Sequence, residues 1–284
     1  MATLANALAN ATQRLEHISD SARLDAELLA GHSLGLSRTQ LFTRDRDTIS
    51  AESLAAYEPL IQRREQGEPV AYIIGKREFW SLELTVNEHT LIPRPETELL
   101  VELVLKFTDK KQFFHIADLG TGSGAIALAI AKERHNSAID ACDTSTQALA
   151  TARLNAQQHN INNIEFIQSD WFQNLAQKKY DLIVSNPPYI APDDQHLRQG
   201  DLRFEPVTAL SAANEGYADL LYIAEQATLH LTKNGYLIFE HGYQQQTRLI
   251  EKLIQLGYNH VKGHTDHSKQ ARAVSAQWTQ HGEQ

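Results

Sequence analysis

The sequence predicts an α/β protein: a mostly parallel sheet of seven strands with helices on both faces, preceded by a small helical domain. Three observations carry this. From Pro93 onward, short apolar runs alternate with helical runs, the pattern of repeated strand–helix units. One of those strands runs straight into a glycine-rich turn, Asp118-Leu119-Gly120-Thr121-Gly122-Ser123-Gly124, and then into a helix. Ahead of Pro93, the apolar spacing is first that of helices and then that of a hairpin.

In chain order, residues 1–72 read as a helical bundle. Leu4, Leu8, Ala11, Leu15 and Ile18 recur at helical spacing, a second helix follows Ser21, and a third begins near Ser50. Arg44, Asp45, Arg46 and Asp47 alternate in sign and read as a solvated loop. Residues 73–92 form a linker: Tyr72–Gly75 and Phe79–Val86 alternate with strand period and predict a β-hairpin. Residues 93–284 form the α/β domain. Its strands are expected at Phe113–Ala117, Ala138–Cys142, Asn163–Gln168, Tyr180–Ser185 and Tyr236–Glu240, with two more near Tyr258–Val261 and Ala271–Trp278. Helices are expected at Ala125–Glu133, Thr144–His159 and around Leu249–Leu256.

Strand, glycine turn and helix N-terminus make a Rossmann-like nucleotide-cofactor site, because glycines admit close backbone approach and the helix start offers free N–H groups. Gly120-x-Gly122-x-x-Ala125 fits the loose dinucleotide fingerprint, so a nicotinamide cofactor is one reading and S-adenosyl-L-methionine the other. Three points favour the second. Asp118 stands at the strand end, where a methionine ammonium group needs a counter-charge. The turn, with Thr121, Ser123 and Gly124, lies mid-chain behind a separate region. A further motif, described next, suits methyl transfer to an amino group and has no role in hydride transfer. Asp143, after the second strand, stands where an acid binds ribose hydroxyls in either cofactor, or where it caps the next helix. Asp170 suits the adenine amino group, and Trp171 either covers the adenine face or packs on the sheet.

That further motif is Asn186-Pro187-Pro188-Tyr189. Two prolines cannot continue a central strand, so the apolar run Tyr180–Ser185 must stop at Asn186, which the following proline holds extended. The Asn186 carboxamide and the next carbonyls then form a fixed array of acceptors suited to a planar NH2 group, with Tyr189 packing beside it. The alternative is an ordinary proline-rich loop.

Composition bounds the setting. The single cysteine, Cys142, permits no intrachain disulfide and suits a reducing compartment. The N-terminus lacks the basic start and apolar core of a signal peptide, and no stretch resembles a membrane span, so a cytoplasmic enzyme is expected. A formal net charge of −9 counts against a nucleic-acid substrate. The thirteen histidines show no ligand spacing, so no metal site is expected.

The order of glycine turn, Asp143, Ser169-Asp170-Trp171-Phe172 and Asn186-Pro187-Pro188-Tyr189 resembles that of class I methyltransferases. Leu91-Ile92-Pro93-Arg94-Pro95-Glu96-Thr97-Glu98 and Gly200-Asp201-Leu202-Arg203-Phe204-Glu205-Pro206 narrow the resemblance to the bacterial release factor glutamine methyltransferases, the HemK/PrmC family, from the N-terminal helices to about Arg272. The resemblance implies S-adenosylmethionine as cofactor and a protein substrate. That substrate is the glutamine of the Gly-Gly-Gln motif of class 1 peptide-chain release factors, methylated at the side-chain amide nitrogen (N5). It makes Ala191–Pro206 a substrate-side loop and the helical domain a substrate-docking surface, the alternative for that domain being a stabilising appendage. Two related activities stay open: glutamine methylation of a large-subunit ribosomal protein, and methylation of an exocyclic amino group of nucleic acid. A non-catalytic binding module is the reading from outside the enzymes.

Overall fold

The computed structural model describes residues 3–175 and 177–279. The backbone divides into two compact units. One comprises the chain up to Lys76 together with Arg198–Phe204; the other comprises Arg77–Leu197 and the chain from Glu205 on.

The first unit contains α1 (Leu4–Leu15), α2 (Ala22–Leu34), α3 (Arg38–Thr43), α4 (Ala51–Glu65) and α5 (Val70–Ile74). Thr3 and Ser50 cap α1 and α4 by accepting from Asn6 N and Ser53 N. Leu8, Leu15, Leu29 and Ile61 are fully buried between them, each contributing about 1.5–3 kcal/mol relative to exposure. The buried Tyr57 hydroxyl donates to the Ala26 carbonyl at 2.9 Å. Arg64 and Asp25 form a buried ion pair at 2.8 Å, and Arg64 also reaches Asp201 at 2.9 Å, which ties Arg198–Phe204 into this unit.

Two expectations for this region are corrected. Tyr72–Gly75 is no strand: Val70–Ile74 is a short helix that follows Pro69 and ends on Gly75 in the left-handed region. The hairpin instead pairs β1 (Lys76–Phe79) with β2 (Leu82–Thr85), turning through Trp80 and Ser81, both with positive φ. Trp80 N donates to Glu98 Oε1 at 2.9 Å and its indole N–H to Glu133 Oε1 at 3.3 Å, contacts that hold a turn normally left to glycine or asparagine.

The second unit continues with α6 (Glu98–Phe107), β3 (His115–Leu119), α7 (Ala125–Glu133), β4 (Ala138–Asp143), α8 (Thr146–Gln158), β5 (Ile164–Gln168), β6 (Tyr180–Ser185), α9 (Ala218–His230), β7 (Leu231–Glu240), α10 (Gln246–Gln255), β8 (Tyr258–Thr265) and β9 (Ala271–Trp278). The seven strands β3–β9 form one sheet in the order β5-β4-β3-β6-β7-β9-β8. The first five are parallel, and β9 runs antiparallel to both β7 and β8. Side chains alternate between the faces: Ile116 and Val184 pack with α6 and α7, Ala117 and Ile183 with α9 and α10. Phe113, expected within the first of these strands, lies before it and is 57 % exposed. β7 starts earlier than expected, with a register shift against β6 that spans Asn234-Gly235. Among the described residues, no helix is long and apolar enough to cross a membrane.

Candidate active site

The carboxyl ends of β3, β4 and β6 and the turn after β5 meet at a cavity of about 260 Å³. Its floor is the glycine turn. Gly120 N and Thr121 N both donate to the Cys142 carbonyl at 2.9 Å, and Gly122 N donates to Asp143 Oδ2 at 2.9 Å, so the turn is tied to the end of β4. Gly124 starts α7 at φ 85°, where a Cβ would stand 3.0 Å from Leu128 Cδ1 and 3.1 Å from Ala152 Cβ. Gly120 and Gly122 line the cavity; Thr121, Ser123 and Gly124 lie behind them.

Asp118 is fully buried and also lies outside the cavity wall. Its Oδ2 accepts from Thr121 Oγ1 at 2.6 Å and from Ala127 N at 3.2 Å, so it organises the turn from behind, while Oδ1 has no partner among the described residues. Burial drives its pKa up to about 7 against the pull of the Thr121 and Ala127 donors, and the Asp143 charge adds to the rise.

Asp143 does line the cavity. Its Oδ1 accepts from Ser145 N at 2.9 Å, but the N-cap of α8 is Ser145, whose hydroxyl accepts from Ala148 N at 3.1 Å. Burial raises the Asp143 pKa, and the amides of Ser145, Gly122 and Thr144 oppose that rise. Trp171 has a φ of 48°, and its carbonyl accepts from Ser169 Oγ at 2.8 Å. This geometry sets the indole beside Gly120, where a Cβ would lie 3.5 Å from ring carbon Cζ3. Asp170 is exposed at the rim and accepts from Gln173 at 3.1 Å. Asp219, in the first turn of α9, also lines the cavity; burial raises its pKa and the Trp171 side chain opposes the rise. Sequence reasoning missed Asp219, because an acid in the first turn of a helix reads as an ordinary dipole complement.

Among the described residues, three carboxylates, Asp143, Asp170 and Asp219, thus line the cavity, and no lysine or arginine does. A dinucleotide pyrophosphate would meet only like charge here. A cofactor with a sulfonium and an ammonium group, a flat adenine and ribose hydroxyls fits this set of acceptors and the Trp171 ring.

Asn186 and Pro188 form the opposite part of the wall. Ser185 Oγ donates to the Leu119 carbonyl at 2.7 Å, which locks the end of β6 to β3. Asn186 Nδ2 donates to Thr97 Oγ1 at 3.2 Å, and Thr97 Oγ1 donates to Glu240 Oε2 at 2.7 Å. Tyr189 donates to Glu240 Oε1 at 2.9 Å. The Arg272 charge acts on both Tyr189 and Glu240, and its guanidinium pairs with Asp266 at 3.4 Å. Glu240 is buried; burial raises its pKa, donors on Thr97 and Tyr189 and the Arg272 charge lower it, and Glu96 adds to the rise. Pro187 is buried and Tyr189 half-buried, and neither lines the cavity. The remaining wall, Thr90 and Leu91 against Pro206, is pinned by Glu205, which accepts from Ile92 N at 2.9 Å and pairs with Arg94. No local sequence signal marks the Thr97–Glu240 contact, whose partners stand 143 residues apart.

The sheet order and this cavity define a Rossmann-like methyltransferase domain. Crystal structures agree on the fold: a methyltransferase from Pyrococcus furiosus (TM-score 0.55, 16 % identity, covering 77 % of this chain and 97 % of that one) and ribosomal protein L11 methylase from Lactobacillus delbrueckii subsp. bulgaricus (TM-score 0.51, 20 % identity, covering 68 % and 84 %). Residues 95–201 match the family described as "Methyltransferase small domain" and residues 6–75 the one described as "PrmC N-terminal domain". The release factor glutamine methyltransferase of Shewanella oneidensis is 46 % identical over 275 residues, covering 97 % of this chain and 96 % of that protein. The protein of that name from Escherichia coli K12 is 45 % identical over 262 residues, covering 92 % and 94 %. The chain belongs to the release factor glutamine methyltransferase family.

Proposed function

We infer that this chain methylates the side-chain amide nitrogen (N5) of the Gly-Gly-Gln glutamine in class 1 peptide-chain release factors, using S-adenosylmethionine. Near-full-length similarity to release factor glutamine methyltransferases supports the substrate over a ribosomal protein or a nucleic acid. The observation that carries the chemistry is Asn186: its amide nitrogen is engaged by Thr97, which leaves its oxygen available beside an acid-lined cavity.

When bound, S-adenosylmethionine supplies a methyl group activated by a cationic sulfur. The residues proposed to hold it are Asp143 for the ribose hydroxyls, Asp170 and Trp171 for the adenine, and Gly120 and Gly122 for close backbone approach. Thr121, Ser123, Gly124 and Asp118 act by shaping the turn. Asn186 Oδ1 accepts one hydrogen of the substrate NH2, and a carbonyl of Pro187 or Pro188 accepts the other. Those two acceptors orient the amide nitrogen and favour positive charge there as the new bond forms. Tyr189, held on Glu240 outside the cavity wall, is a support of this array. The helical region 1–72 serves as a docking surface for the release factor, 73–92 is the linker and 93–284 the catalytic domain. A substrate that acts in translation supports a cytoplasmic location.

The test is mass spectrometry of a purified release factor incubated with this protein and S-adenosylmethionine. The expected result is one added methyl on the Gly-Gly-Gln glutamine, with turnover falling about 10²-fold or more in Asn186→Ala. Cofactor bound but that glutamine unmodified would overturn the reading.

A further inference from the structure

We propose that Thr97 and Glu240 are positioning residues that fix which way the Asn186 carboxamide faces, and so decide whether the site presents an acceptor or a donor to its substrate. The inference rests on the reading of Asn186 given above. An asparagine side chain has two nearly isosteric ends, an oxygen that accepts and an NH2 that donates. Only one orientation can grip a substrate NH2. The other sets donor against donor.

The direction of every hydrogen bond behind Asn186 follows from its ends. A carboxylate oxygen accepts, so the Tyr189 proton goes to Glu240 Oε1 at 2.9 Å. With Glu240 ionised against the nearby Arg272 charge, its carboxylate only accepts, so the Thr97 hydroxyl spends its single proton on Glu240 Oε2 at 2.7 Å. Thr97 Oγ1 then has only lone pairs left, and across 3.2 Å it can meet only the NH2 end of Asn186. The oxygen end must face the other way. One buried carboxylate thereby imposes polarity on two hydroxyls and, through one of them, on an amide it does not touch.

The backbone explains why these groups meet. β6 and β7 are parallel and in register to their ends, with Ser185 opposite Phe239, so Asn186 and Glu240 each stand one residue beyond that pair. Glu240 is still paired to Ala273 of β9, which fixes its backbone. Thr97 arrives at the start of α6, from the Pro-Arg-Pro-Glu-Thr-Glu segment.

Three variants beside Asn186→Ala test this. Thr97→Val keeps the shape and removes the hydroxyl, Thr97→Ser keeps the hydroxyl, and Glu240→Gln keeps the shape but makes one of the two ends a donor. Where that NH2 faces Thr97, the hydroxyl would pass its proton to Asn186 and reverse the amide. The expected result is that kcat falls about 10²-fold in Thr97→Val and by a smaller factor in Glu240→Gln. KM for the release factor should change far less. The cofactor dissociation constant by calorimetry and the melting temperature should stay near wild type in Thr97→Val, and Thr97→Ser should recover most of the activity. Wild-type kcat in Thr97→Val, with Asn186→Ala inactive, would overturn this inference and leave the role of Asn186 standing. Equal losses in Thr97→Val and Thr97→Ser would also overturn it, because packing rather than the hydroxyl would then matter. Full activity in Asn186→Ala would instead remove the reading on which the inference rests. Should Glu240→Gln fail to fold, the two Thr97 variants still decide.

Discussion

Replacing Asp118 by asparagine should change how stability depends on pH, and the size of the change can be worked from its surroundings. The carboxyl is fully buried, and its pKa rises from 3.8 to about 7 on folding. A group with a raised folded pKa binds its proton more tightly in the native state. Its stabilising contribution is therefore complete below about pH 4 and is lost as pH rises to about 7, above which the loss is constant. From 3.8 to about 7, at about 1.4 kcal/mol per pH unit, the loss totals about 4 kcal/mol. About 1.5 of this is gone by pH 5, so about 3 kcal/mol separates pH 5 from pH 8.5. The substituted asparagine cannot ionise and lacks this slope. Its oxygen can still accept from Thr121 and Ala127, while its NH2 replaces the partnerless Oδ1 at a cost that does not vary with pH. The quantity to read is thus the difference between variant and wild type at the two pH values. Measured by calorimetry or urea unfolding, the variant should gain about 3 kcal/mol relative to wild type between pH 5 and pH 8.5, or about 6–12 °C in melting temperature. Parallel stability curves would refute the reasoning: the Asp118 carboxyl would then be as well solvated or as well paired as in the unfolded chain.

Other perturbations have comparably definite outcomes. Trp171→Ala removes the ring beside Gly120, and should weaken S-adenosylmethionine binding about 10- to 100-fold by calorimetry. Asp143→Ala leaves Gly122 N and Ser145 N without their acceptor; it should weaken cofactor binding and cost about 1–3 kcal/mol in chemical denaturation. Gly124→Ala adds a Cβ at φ 85° within 3.1 Å of two side chains, and should destabilise by about 1–3 kcal/mol, read as a fall in melting temperature. Glu205→Ala strips Ile92 N and Arg94 of a buried partner; it should lower stability by about 2–4 kcal/mol and loosen the Leu91–Pro206 wall, seen as faster hydrogen exchange there.

Most of the parallel sheet is legible because each element announces itself locally. Tyr180–Ser185 and Ala271–Trp278 match their strands, since apolar runs bounded by turns have little alternative. The glycine turn and Asn186-Pro187-Pro188-Tyr189 stand out because glycine and proline restrict or free the backbone whatever surrounds them. The misses have equally local causes. α3 is only six residues long, too short for apolar periodicity, although Ser37 and Gln40 do form a capping box that could have marked it. Tyr72–Gly75 alternates like a strand, although Pro69 and Gly75 already bracket a helix. The turn at Trp80-Ser81 carries no glycine or asparagine; side-chain bonds to Glu98 and Glu133 impose it, and those partners are far along the chain. For the same reason, Glu240 and Arg272 are visible in the sequence as residues but not as parts of one network.

The sheet order explains why the proposed binding and chemistry lie side by side yet rest on different residues. From β3 the chain first winds outward through β4 and β5, then returns to place β6 on the other side of β3. That reversal leaves a crevice at the carboxyl ends of β3 and β6, where a parallel α/β sheet accepts ligands. The outward branch delivers Asp143 and Trp171 to one side of it, where both line the acid-lined cavity. The returning branch delivers Asn186 to the other side, and its supports Thr97, Glu240 and Tyr189 are drawn into the protein rather than into the cavity. An electrostatic grip on a cationic cofactor tolerates water and some adjustment. The orientation of a single amide does not, because solvent could satisfy either end of it equally well. Keeping the orienting carboxylate dry and three bonds removed from the substrate therefore separates the two demands within one crevice.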